Sequence, residues 1–400
     1  MKITDLRTIT IGGSKIVRVD TDEGIHGYGE ANWGALGPVP NDFILALKPA
    51  IVGLDPTNVE QVMLHIRHYG GNAHMGVGVS AVGTALWDIA GKAAGLPAYK
   101  LLGGKIRDHV RIYCDTDVGL LLDPSDPASR FTPEAYAARA RERMALPDGY
   151  TIMKFDIGFH GQHFVTVPGF IWETNLTYPY QGHATERGIK SQVAIVEAIK
   201  EVLGDGIGLA IDCGPGQSLQ AVMTLAKALE PYNLAWLEDP FEGADVPYVD
   251  VEAYRLLSES TTTPIMTGEQ LYLRTGFRDL IANHAVDVVA PDIQDVGGLA
   301  ESKWVAEMAD LYNVLVAPHN ANGAVSFMAN LQAAAVMPRN YIAFEFHQAD
   351  DRNWDDILDG VERPLIRDGF AKVPDTPGLG FELNEEAVRR RMAPGEAYFE

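Results

Sequence analysis

Apolar and polar residues alternate over residues 1–30, which is the period of a half-buried strand. The Thr-Asp-Glu-Gly turn within IVRVDTDEGIHGYGE indicates a hairpin in this stretch. Over residues 41–105 the pattern changes to helical spacing, and in SAVGTALWDIAGKAAG apolar residues recur every three or four positions. Residues 1–108 therefore predict a small α+β domain.

Beyond about residue 108, short apolar runs alternate with amphipathic helical windows such as ERGIKSQVAIVEAIKEVL. Continuous apolar runs are typical of parallel strands buried on both faces. The eight runs are HVRIYCD (109–115), TIMKFDIG (151–158), GIGLAIDCG (206–214), LAWLEDP (234–240), TPIMTGE (263–269), DVVAPD (287–292), VLVAPH (314–319) and YIAFEFH (341–347). Eight such runs with helices between them predict an α/β protein with a parallel (β/α) barrel.

Charge and cysteine content narrow the function classes. The 400 residues include 54 acidic and 32 basic side chains, a formal net charge of −22, which argues against a nucleic-acid face and against an anionic membrane surface. No run of 18 uncharged apolar residues predicts a membrane span, and MKITDLRTITIGG lacks the apolar run of a signal peptide. Cys114 and Cys213 form no CxxC pair, so we expect a reducing, cytoplasmic location.

Most of the apolar runs end in a polar side chain, and in a parallel barrel these ends converge on the face where active sites lie. A single strand-end carboxylate is most often a helix cap or a salt-bridge partner. However, Asp212, Glu238 and Glu269 end three consecutive runs. Like charges cannot crowd together without a cation, and the oxygen donors favour Mg²⁺ over zinc.

Two further pairs of residues are candidates for the same face. Asp292 and His319 end the next two runs, so the carboxylate could orient the imidazole and raise its basicity; a helix cap and a satisfied core histidine are the structural alternative. Lys154 and Asp156 lie two apart in the second run and so point the same way. They would either face the cation or form a structural pair.

These motifs resemble the enolase superfamily, and within it the mandelate racemase subgroup, over nearly the whole chain. TDEGIHGYGEA is similar to the hairpin of the family's N-terminal capping domain, and SAVGTALWDIAGKAAGLPAYKLLGG is similar to the segment that leads into its barrel. VPDTPGLGFELNEEAV is similar to the tail that returns to the capping domain. The resemblance implies a modified (β/α)7β barrel over 109–369 and a capping domain over 1–108 that is completed by 370–400.

The resemblance also implies roles for the strand-end residues. IDCG, WLEDPF and MTGE match the three metal-ligand strands, which makes the implied Mg²⁺ ligands Asp212, Glu238 and Glu269. PDIQDVGG and APHNANG match a dyad in which Asp292 orients His319 for proton transfer, and FEF places Glu345 at a substrate carboxylate oxygen. The family abstracts the proton α to a carboxylate and forms an enediolate on Mg²⁺. Lys154 would help to stabilise charge at the carboxylate oxygens.

The second run departs from the family pattern. Members often carry Lys-x-Lys there, whereas this chain has Lys-Phe-Asp ending at Asp156, so two-base racemisation is disfavoured. Asp292 in the sixth run, in place of Lys, also disfavours the cycloisomerising and dipeptide-epimerising arrangement. Gly214 stands where some acid-sugar dehydratases have a histidine. The remaining arrangement is centred on His319 as a single base.

A single base suits the dehydration of a sugar acid, an aldonate or aldarate, to a 2-keto-3-deoxy acid. His319 would take the α-proton and return a proton to the departing β-hydroxyl, which implies syn elimination; Asp156 or Tyr178 could instead supply a second acid. A lactone cycloisomerase or epimerase/racemase on the same fold is one alternative function. A non-catalytic acid-sugar-binding relative is another.

The segment 158–187 is aromatic and histidine-rich, and it is long for a loop after a strand. We expect it to close the site, with Trp172, Tyr178 and His183 as substrate-binding candidates. The alternative is that it packs at a subunit interface. The resemblance also implies a symmetric homo-oligomer, commonly an octamer.

Overall fold

A computed structural model gives the architecture of the chain. It describes residues 1–31, 33–34, 37–38, 41–70, 76–116, 132–157, 186–213, 217–241 and 249–399. An antiparallel sheet with helices comes first, and a closed parallel barrel and a C-terminal tail follow. Among the helices that the structure describes, none has the length and hydropathy to cross a membrane.

The N-terminal sheet is antiparallel, in the order of its strands β1 (Ile3–Ile11), β2 (Ser14–Thr21) and β3 (His26–Ala31). Its turns use Gly12 and Gly24 with φ of 57° and 78°, a left-handed conformation that glycine adopts without strain. The sheet packs closely on a long helix, because a Cβ on Gly29 would lie 2.0 Å from the carbonyl oxygen of Ala81. The hairpin predicted from the sequence is thus present.

Short elements complete this N-terminal part of the chain. They are β4 (Trp33–Gly34), β5 (Gly37–Pro38), α1 (Asn41–Leu45), α2 (Lys48–Ile51), α3 (Val59–Ile66), a 3-10 turn (Arg67–Gly70), α4 (Gly76–Ala94) and α5 (Ala98–Leu101). The long helix against the sheet is α4, and its buried residues form one core with β2, α2 and α3. Helical spacing in the sequence therefore translates into one buried helix face.

The barrel is a closed ring of parallel strands. The strands are β6 (His109–Cys114), β7 (Ile152–Asp156), β8 (Gly208–Asp212), β9 (Trp236–Glu238), β10 (Ile265–Thr267), β11 (Val288–Val289), β12 (Leu315–Val316) and β13 (Phe344–Phe346). Each pairs with the next from β6 to β12, and β13 pairs with β6. A bridge between Val316 and Tyr341 joins β12 to the segment before β13, which closes the ring. All eight strands predicted from the apolar runs are confirmed.

Helices connect the strands on the outside of the barrel, which gives a (β/α)7β arrangement. They are α6 (Pro133–Met144), α7 (Glu186–Leu203), α8 (Leu219–Leu229) with a 3-10 turn (Glu230–Tyr232), α9 (Val251–Ser260), α10 (Leu273–Ala282), α11 (Leu299–Leu311) and α12 (Ala324–Val336). Thr132, Ser218 and Asp250 begin three of them, and each side chain accepts a hydrogen bond from a backbone N–H of the first turn.

The C-terminal tail runs back over both parts of the chain. It contains β14 (Leu358–Asp359), β15 (Ile366–Arg367), β16 (Phe370–Lys372), β17 (Glu382–Leu383) and α13 (Glu385–Arg391). Strand β16 pairs antiparallel with β6 of the barrel. Further on, the amide of Ala393 donates to the carbonyl of Thr10, and the ring of Phe399 lies beside Tyr28. The domain limits at residues 108 and 369 stay a prediction.

Side chains inside the barrel form two stacked layers, because alternate residues of a strand point the same way. The apolar layer consists of Tyr113, Ile152, Ala210, Trp236, Met266, Val288, Ala290, Ala317 and Ala343. Two residues further along the strands, toward their C-terminal ends, lies the charged layer of Asp115, Lys154, Asp212, Glu238, Asp292, His319 and Glu345. The candidate site is therefore built on top of a packed barrel interior.

Candidate active site

The predicted Asp292–His319 pair is in contact. Nδ1 of His319 lies 2.7 Å from Oδ2 of Asp292, and the other oxygen of Asp292 accepts from the amide of Gln294 at 2.6 Å. A carboxylate can only accept, so Nδ1 of His319 carries a proton. Nε2 faces the site, 3.2 Å from Glu269 and 3.4 Å from Glu345. This arrangement leaves Nε2 as the atom that can transfer a proton.

The electrostatic surroundings of His319 favour its charged form. Burial lowers the pKa of His319, but the carboxylates of Glu269, Glu345 and Asp292 raise it by more, so that it lies well above the ordinary value of 6.5. A cation bound at Glu269 would offset one of these charges. The pKa of His319 would then move toward the range in which an imidazole acts as a base at neutral pH.

The three predicted metal ligands also converge. Carboxylate oxygens of Asp212, Glu238 and Glu269 lie within 4.8 Å of one another. Burial and the neighbouring acids raise the pKa of Glu238 to about 8, although Lys154 opposes this. Such a set of buried carboxylates costs free energy unless a cation joins it. Because all the donors are oxygens, these residues fit a hard divalent cation.

Lys154 lies inside the same cluster. Its Nζ is 3.2 Å from Oδ2 of Asp212, 3.2 Å from Oε1 of Glu238 and 2.6 Å from Oε1 of Glu345. Burial lowers the pKa of Lys154, but Glu238, Glu345 and Asp212 raise it by more, to well above its ordinary value. The ammonium therefore stays charged and offsets part of the negative charge of the cluster.

Asp156 follows Lys154 by two residues and is the last residue of β7. Its Cα is in register with that of Asp212 on β8, and its side chain is half-buried. Its backbone carbonyl accepts a hydrogen bond from the hydroxyl of Tyr136 at 2.6 Å. The alternation predicted for Lys154 and Asp156 places both at the same end of the barrel, and a role for Asp156 as a second acid stays a prediction.

Glu345 lies at the centre of the charged layer. Oε1 contacts Lys154, and Oε2 accepts from the amide of Asn320 at 3.1 Å. Burial raises the pKa of Glu345, but Lys154, His319 and His347 lower it by more, to well below its ordinary value. An ionised Glu345 can only accept hydrogen bonds. Its predicted bond to a substrate carboxylate therefore requires it to take up a proton when the anionic substrate binds beside it.

Two residues of this face were not among the sequence candidates. Nε2 of His347 lies 3.2 Å from Oδ2 of Asp115 and 3.4 Å from Oε1 of Glu345. The sequence did contain a signal, because Asp115 and His347 are the last residues of the runs HVRIYCD and YIAFEFH. His347 also follows Glu345 by two positions, so both point inward.

A third residue missed from the sequence is Glu30, on β3 of the N-terminal sheet. Its two carboxylate oxygens accept from the amides of Gly323 and Ser326, each at 2.8 Å. These amides belong to the start of α12, and the hydroxyl of Ser326 donates to the side chain of Asn320 at 2.5 Å. Glu30 thereby connects the N-terminal sheet to the segment that follows His319.

The predicted substrate-binding residues lie outside the described residues. Trp172, Tyr178 and His183 belong to 158–185, and Gly214 is likewise outside. The predictions for the insertion, closure of the site or packing at a subunit interface, therefore stay predictions.

Comparison with known proteins gives two family matches and several relatives that match over nearly all of this chain. Residues 6–103 match the mandelate racemase / muconate lactonizing enzyme N-terminal domain, and residues 135–387 match the enolase C-terminal domain-like family. A D-xylonate dehydratase from Haloferax volcanii is 36% identical, over 100% of this chain and 91% of that relative. A D-gluconate dehydratase from Thermoproteus tenax is 28% identical, over 96% of this chain and 71% of that relative.

A solved structure shares the fold over the same extent. The crystal structure of a mandelate racemase/muconate lactonizing enzyme-like protein from Rubrobacter xylanophilus superposes with a TM-score of 0.87 at 31% sequence identity. The superposition covers 100% of this chain and 99% of that one. The barrel and the N-terminal sheet are therefore matched together.

Proposed function

Since the chain belongs to the mandelate racemase / muconate lactonizing enzyme family of the enolase superfamily, we propose that it is a Mg²⁺-dependent dehydratase of sugar acids. The resemblance inferred from the sequence motifs is confirmed by these family matches. One observation carries the proposal: Asp292 holds Nδ1 of His319, and Nε2 points at a cluster of carboxylates that fits a cation. The relatives named D-xylonate and D-gluconate dehydratase support the reaction class.

Members of the superfamily bind a metal ion, and the three converging carboxylates give this chain a set of donors for one. We propose that the ion is Mg²⁺, because it prefers oxygen ligands. The residues that would hold it are Asp212, Glu238 and Glu269. When bound, Mg²⁺ supplies positive charge where the carboxylate oxygens of the substrate become more negative.

The residues of the chain itself would perform the proton transfer. Nε2 of His319 takes the proton from the carbon α to the substrate carboxylate, and Asp292 holds the ring and stabilises the imidazolium that forms. The fixed ammonium of Lys154 adds positive charge next to Glu345 and stabilises the enediolate that develops. Because both groups are already in place and buried, no reorganisation is needed when the charge appears.

Loss of the β-hydroxyl as water then gives an enol, which becomes a 2-keto-3-deoxy acid. An aldonate fits best, since the relatives with this reaction are named for D-xylonate and D-gluconate. We propose an aldonate of five or six carbons, with D-xylonate as the first compound to test. The chain has Lys-Phe-Asp where a two-base racemase would need a second lysine, which favours elimination over racemisation.

The test is a screen of aldonates, uronates and aldarates for keto-acid product, with Mg²⁺ present. We expect wild type to dehydrate at least one aldonate and His319→Asn to lose about 10³-fold or more in kcat. His109→Gln is a matched control, because His109 begins β6 at the opposite end of the barrel and is exposed. This variant should keep the wild-type rate.

Other outcomes of this screen would point to the alternative functions. Exchange of the α-proton for solvent deuterium without loss of water would indicate an epimerase or a cycloisomerase. No keto acid from any sugar acid, together with no Mg²⁺ binding by calorimetry, would indicate the non-catalytic relative. Full turnover by His319→Asn would remove His319 from the proposed role.

A homo-oligomer, commonly an octamer in this subgroup, and a cytoplasmic location stay proposals. Both cysteines, Cys114 and Cys213, are buried free thiols, which is compatible with a reducing compartment. Light scattering on the purified protein would measure the oligomeric state. A monomer at micromolar concentration would overturn that part of the proposal.

A further inference from the structure

Two histidines that follow adjacent strands contact the two different oxygens of one carboxylate. Nε2 of His319 lies 3.4 Å from Oε2 of Glu345, and Nε2 of His347 lies 3.4 Å from Oε1 of the same group. The two rings are 6.3 Å apart between centroids and inclined by 67°. A substrate that contacts Glu345 would therefore meet both Nε2 atoms, whereas the scheme predicted from the sequence uses His319 alone.

The surroundings of His347 suit a group that meets substrate. Its side chain is 32% exposed, whereas Glu345 beneath it is fully buried. The contacts of Nε2 to Asp115 and Glu345, at 3.2 and 3.4 Å, are longer than a strong charge-assisted hydrogen bond of about 2.7–2.9 Å. A substrate hydroxyl could therefore take the place of either contact.

Asp115 provides a second, independent indication of a ligand here. Asp115 is buried, and its Oδ1 makes no hydrogen bond within the part of the chain that the structure describes. Nζ of Lys154 lies 3.8 Å from this oxygen, too far for a hydrogen bond. A buried carboxylate oxygen without a hydrogen bond costs free energy, and a substrate hydroxyl would satisfy it.

The segment that carries His347 is held firmly. Three residues later, Asp350 accepts hydrogen bonds from Arg139 at 2.6 Å and from Arg143 at 2.9 Å, both on α6. The ring of Phe346 packs at 4.7 Å against Trp354. A fixed backbone on both sides gives His347 a defined position, as an acid needs in order to reach one particular oxygen.

We propose that His347, positioned by Asp115, is the acid that protonates the departing β-hydroxyl, while His319 removes the α-proton. This inference rests on the proposed dehydratase function. His347 would contact the reacting oxygen and is a catalytic residue, whereas Asp115 is a positioning residue. Two histidines thus share the elimination, whereas the sequence predicts that His319 performs both proton transfers.

In the proposed reaction each histidine transfers one proton. Nε2 of His319 takes the α-proton, and the C–H electron pair becomes the double bond of the enediolate. The electron pair of the enediolate double bond then forms the double bond between the α- and β-carbons, and the carboxylate is restored. At the same time the C–O bond to the β-carbon breaks, its electron pair stays on oxygen, and the proton of Nε2 of His347 completes a water molecule. The enol that remains takes a proton at the β-carbon and loses its hydroxyl proton, which gives the keto acid. The protons gained by His319 and lost by His347 are equal in number.

The protonation state of His347 agrees with an acid role. Burial lowers the pKa of His347, but Asp115 and Glu345 raise it by more, while Lys154 opposes them. The ring of His319 also faces His347. The net pKa of His347 is raised above its ordinary value of 6.5, so the protonated form is favoured near neutral pH.

The main experiment compares wild type and His347→Gln on three readouts with the same sugar acid. Dehydration should fall by about 10²-fold or more in the variant. Exchange of the α-proton with solvent deuterium should persist, because His319 is intact. Elimination of fluoride from the 3-deoxy-3-fluoro analogue should stay within about threefold of wild type, because fluoride leaves without a proton from an acid.

Control variants separate this role from a structural one. His319→Asn should lose all three readouts, and His109→Gln should lose none. If His347→Gln keeps dehydration within about threefold of wild type, or loses exchange and fluoride release as His319→Asn does, the proposal is overturned. A wild type that makes no keto acid from any sugar acid would instead overturn the dehydratase function itself.

Asp115→Asn tests the same proposal where His347→Gln does not fold. Removing this charge lowers the pKa of His347, so the alkaline limb of the kcat profile for dehydration should move to lower pH. The profile for fluoride release should not move. An unchanged dehydration profile, or an equal movement of both profiles, would contradict the role of His347 as the acid.

Discussion

The apolar and charged layers of the barrel stand on the same strands, two residues apart. Trp236 and Glu238 on β9 belong to different layers, as do Ala343, just before β13, and Glu345 on β13. Burial stabilises the first layer by removing apolar surface from water, at about 25 cal/mol per Å². Burial opposes the second layer, since an ionised group taken from water costs several kcal/mol unless partners compensate it. The charged layer is therefore the part of the barrel in which burial lowers stability and places the groups needed for chemistry.

The two layers are not independent of each other. Nε1 of Trp236, in the apolar layer, donates to Oε2 of Glu238 at 2.9 Å. The ring of Tyr113 packs edge-on against Trp236, with centroids 5.1 Å apart. The apolar layer thus supplies both a floor and one hydrogen-bond donor to the layer above it. Variants in each layer should separate stability from activity.

The largest effect is expected for Lys154→Met, which removes an ammonium that lies within 3.2 Å of three carboxylates. Asp212, Glu238 and Glu345 would then be buried without their shared cation. We expect the free energy of unfolding at pH 7 without Mg²⁺ to fall by about 3–5 kcal/mol. Urea unfolding monitored by circular dichroism measures this directly.

Added Mg²⁺ should recover part of that loss, because a bound cation offsets the same carboxylates. Lys190→Met is the matched control, since Lys190 is 74% exposed and pairs only with the exposed Glu186 in the described structure. It should change the free energy of unfolding by less than about 0.5 kcal/mol. A Lys154→Met protein as stable as wild type would show that the charged layer is not strained.

In the apolar layer, Met266→Ala should act on stability alone. Met266 is fully buried on β10, and deleting most of its side chain leaves a cavity beneath the site. We expect a loss of about 2–5 kcal/mol in the free energy of unfolding. The value of kcat should stay within about threefold of wild type, because no group of the charged layer is removed. A larger loss in kcat than in stability would mean that the layers are more tightly coupled than we infer.

Strand alternation explains which residues of the charged layer the sequence could predict. The eight runs and their alternation place Asp212, Glu238 and His319 at one end of the barrel, because strand geometry has a period of two. β10 breaks this alternation. Glu269 follows Met266 by three positions, and between them Gly268 has φ of 131°, where a Cβ would lie 2.6 Å from Phe277.

The contacts that the sequence did not predict depend on strands that pair over a long separation in the chain. His347 meets Asp115 only because β13 pairs with β6, although the two strands are far apart in sequence. Glu30 reaches α12 across an even longer separation. The pattern within a run gives the direction of a side chain, but the partner strand decides which side chain it meets. Contacts of this kind follow from topology and not from local propensity.

Bound Mg²⁺ should stabilise the end of the barrel that carries the charged layer and leave the apolar layer unaffected. At a concentration of about 100 times its dissociation constant, we expect Mg²⁺ to raise the free energy of unfolding of wild type by about 2.7 kcal/mol. Glu269→Gln removes one of the three converging carboxylates and should lose most of this gain. Thermal unfolding against Mg²⁺ concentration measures it, with the exposed Glu259→Gln as control. An equal gain in both variants would place the cation elsewhere.

The smallest effect on stability is expected at Asp350, outside the barrel. Like the carboxylates of the charged layer, Asp350 is paired with cations, but its own side chain is 41% exposed. Burial raises the pKa of Asp350, but hydrogen bonds from Arg143 and Arg139 lower it by more, so the folded pKa lies below the unfolded one. Its contribution to stability is therefore present above pH 4, roughly the unfolded pKa, and is lost as the pH falls through the folded pKa.

Because Asp350 is 41% exposed, solvent screens its ion pairs, and Asp350→Asn should cost only about 1 kcal/mol at pH 7. The difference from wild type should shrink below about pH 4 and in high salt, as urea unfolding across pH would show. The effect of Lys154→Met should resist salt, since its partners are buried. If the two variants responded alike to salt, burial of the carboxylate would not be what distinguishes the charged layer from the ion pairs of the exposed Asp350 with the buried Arg139 and Arg143.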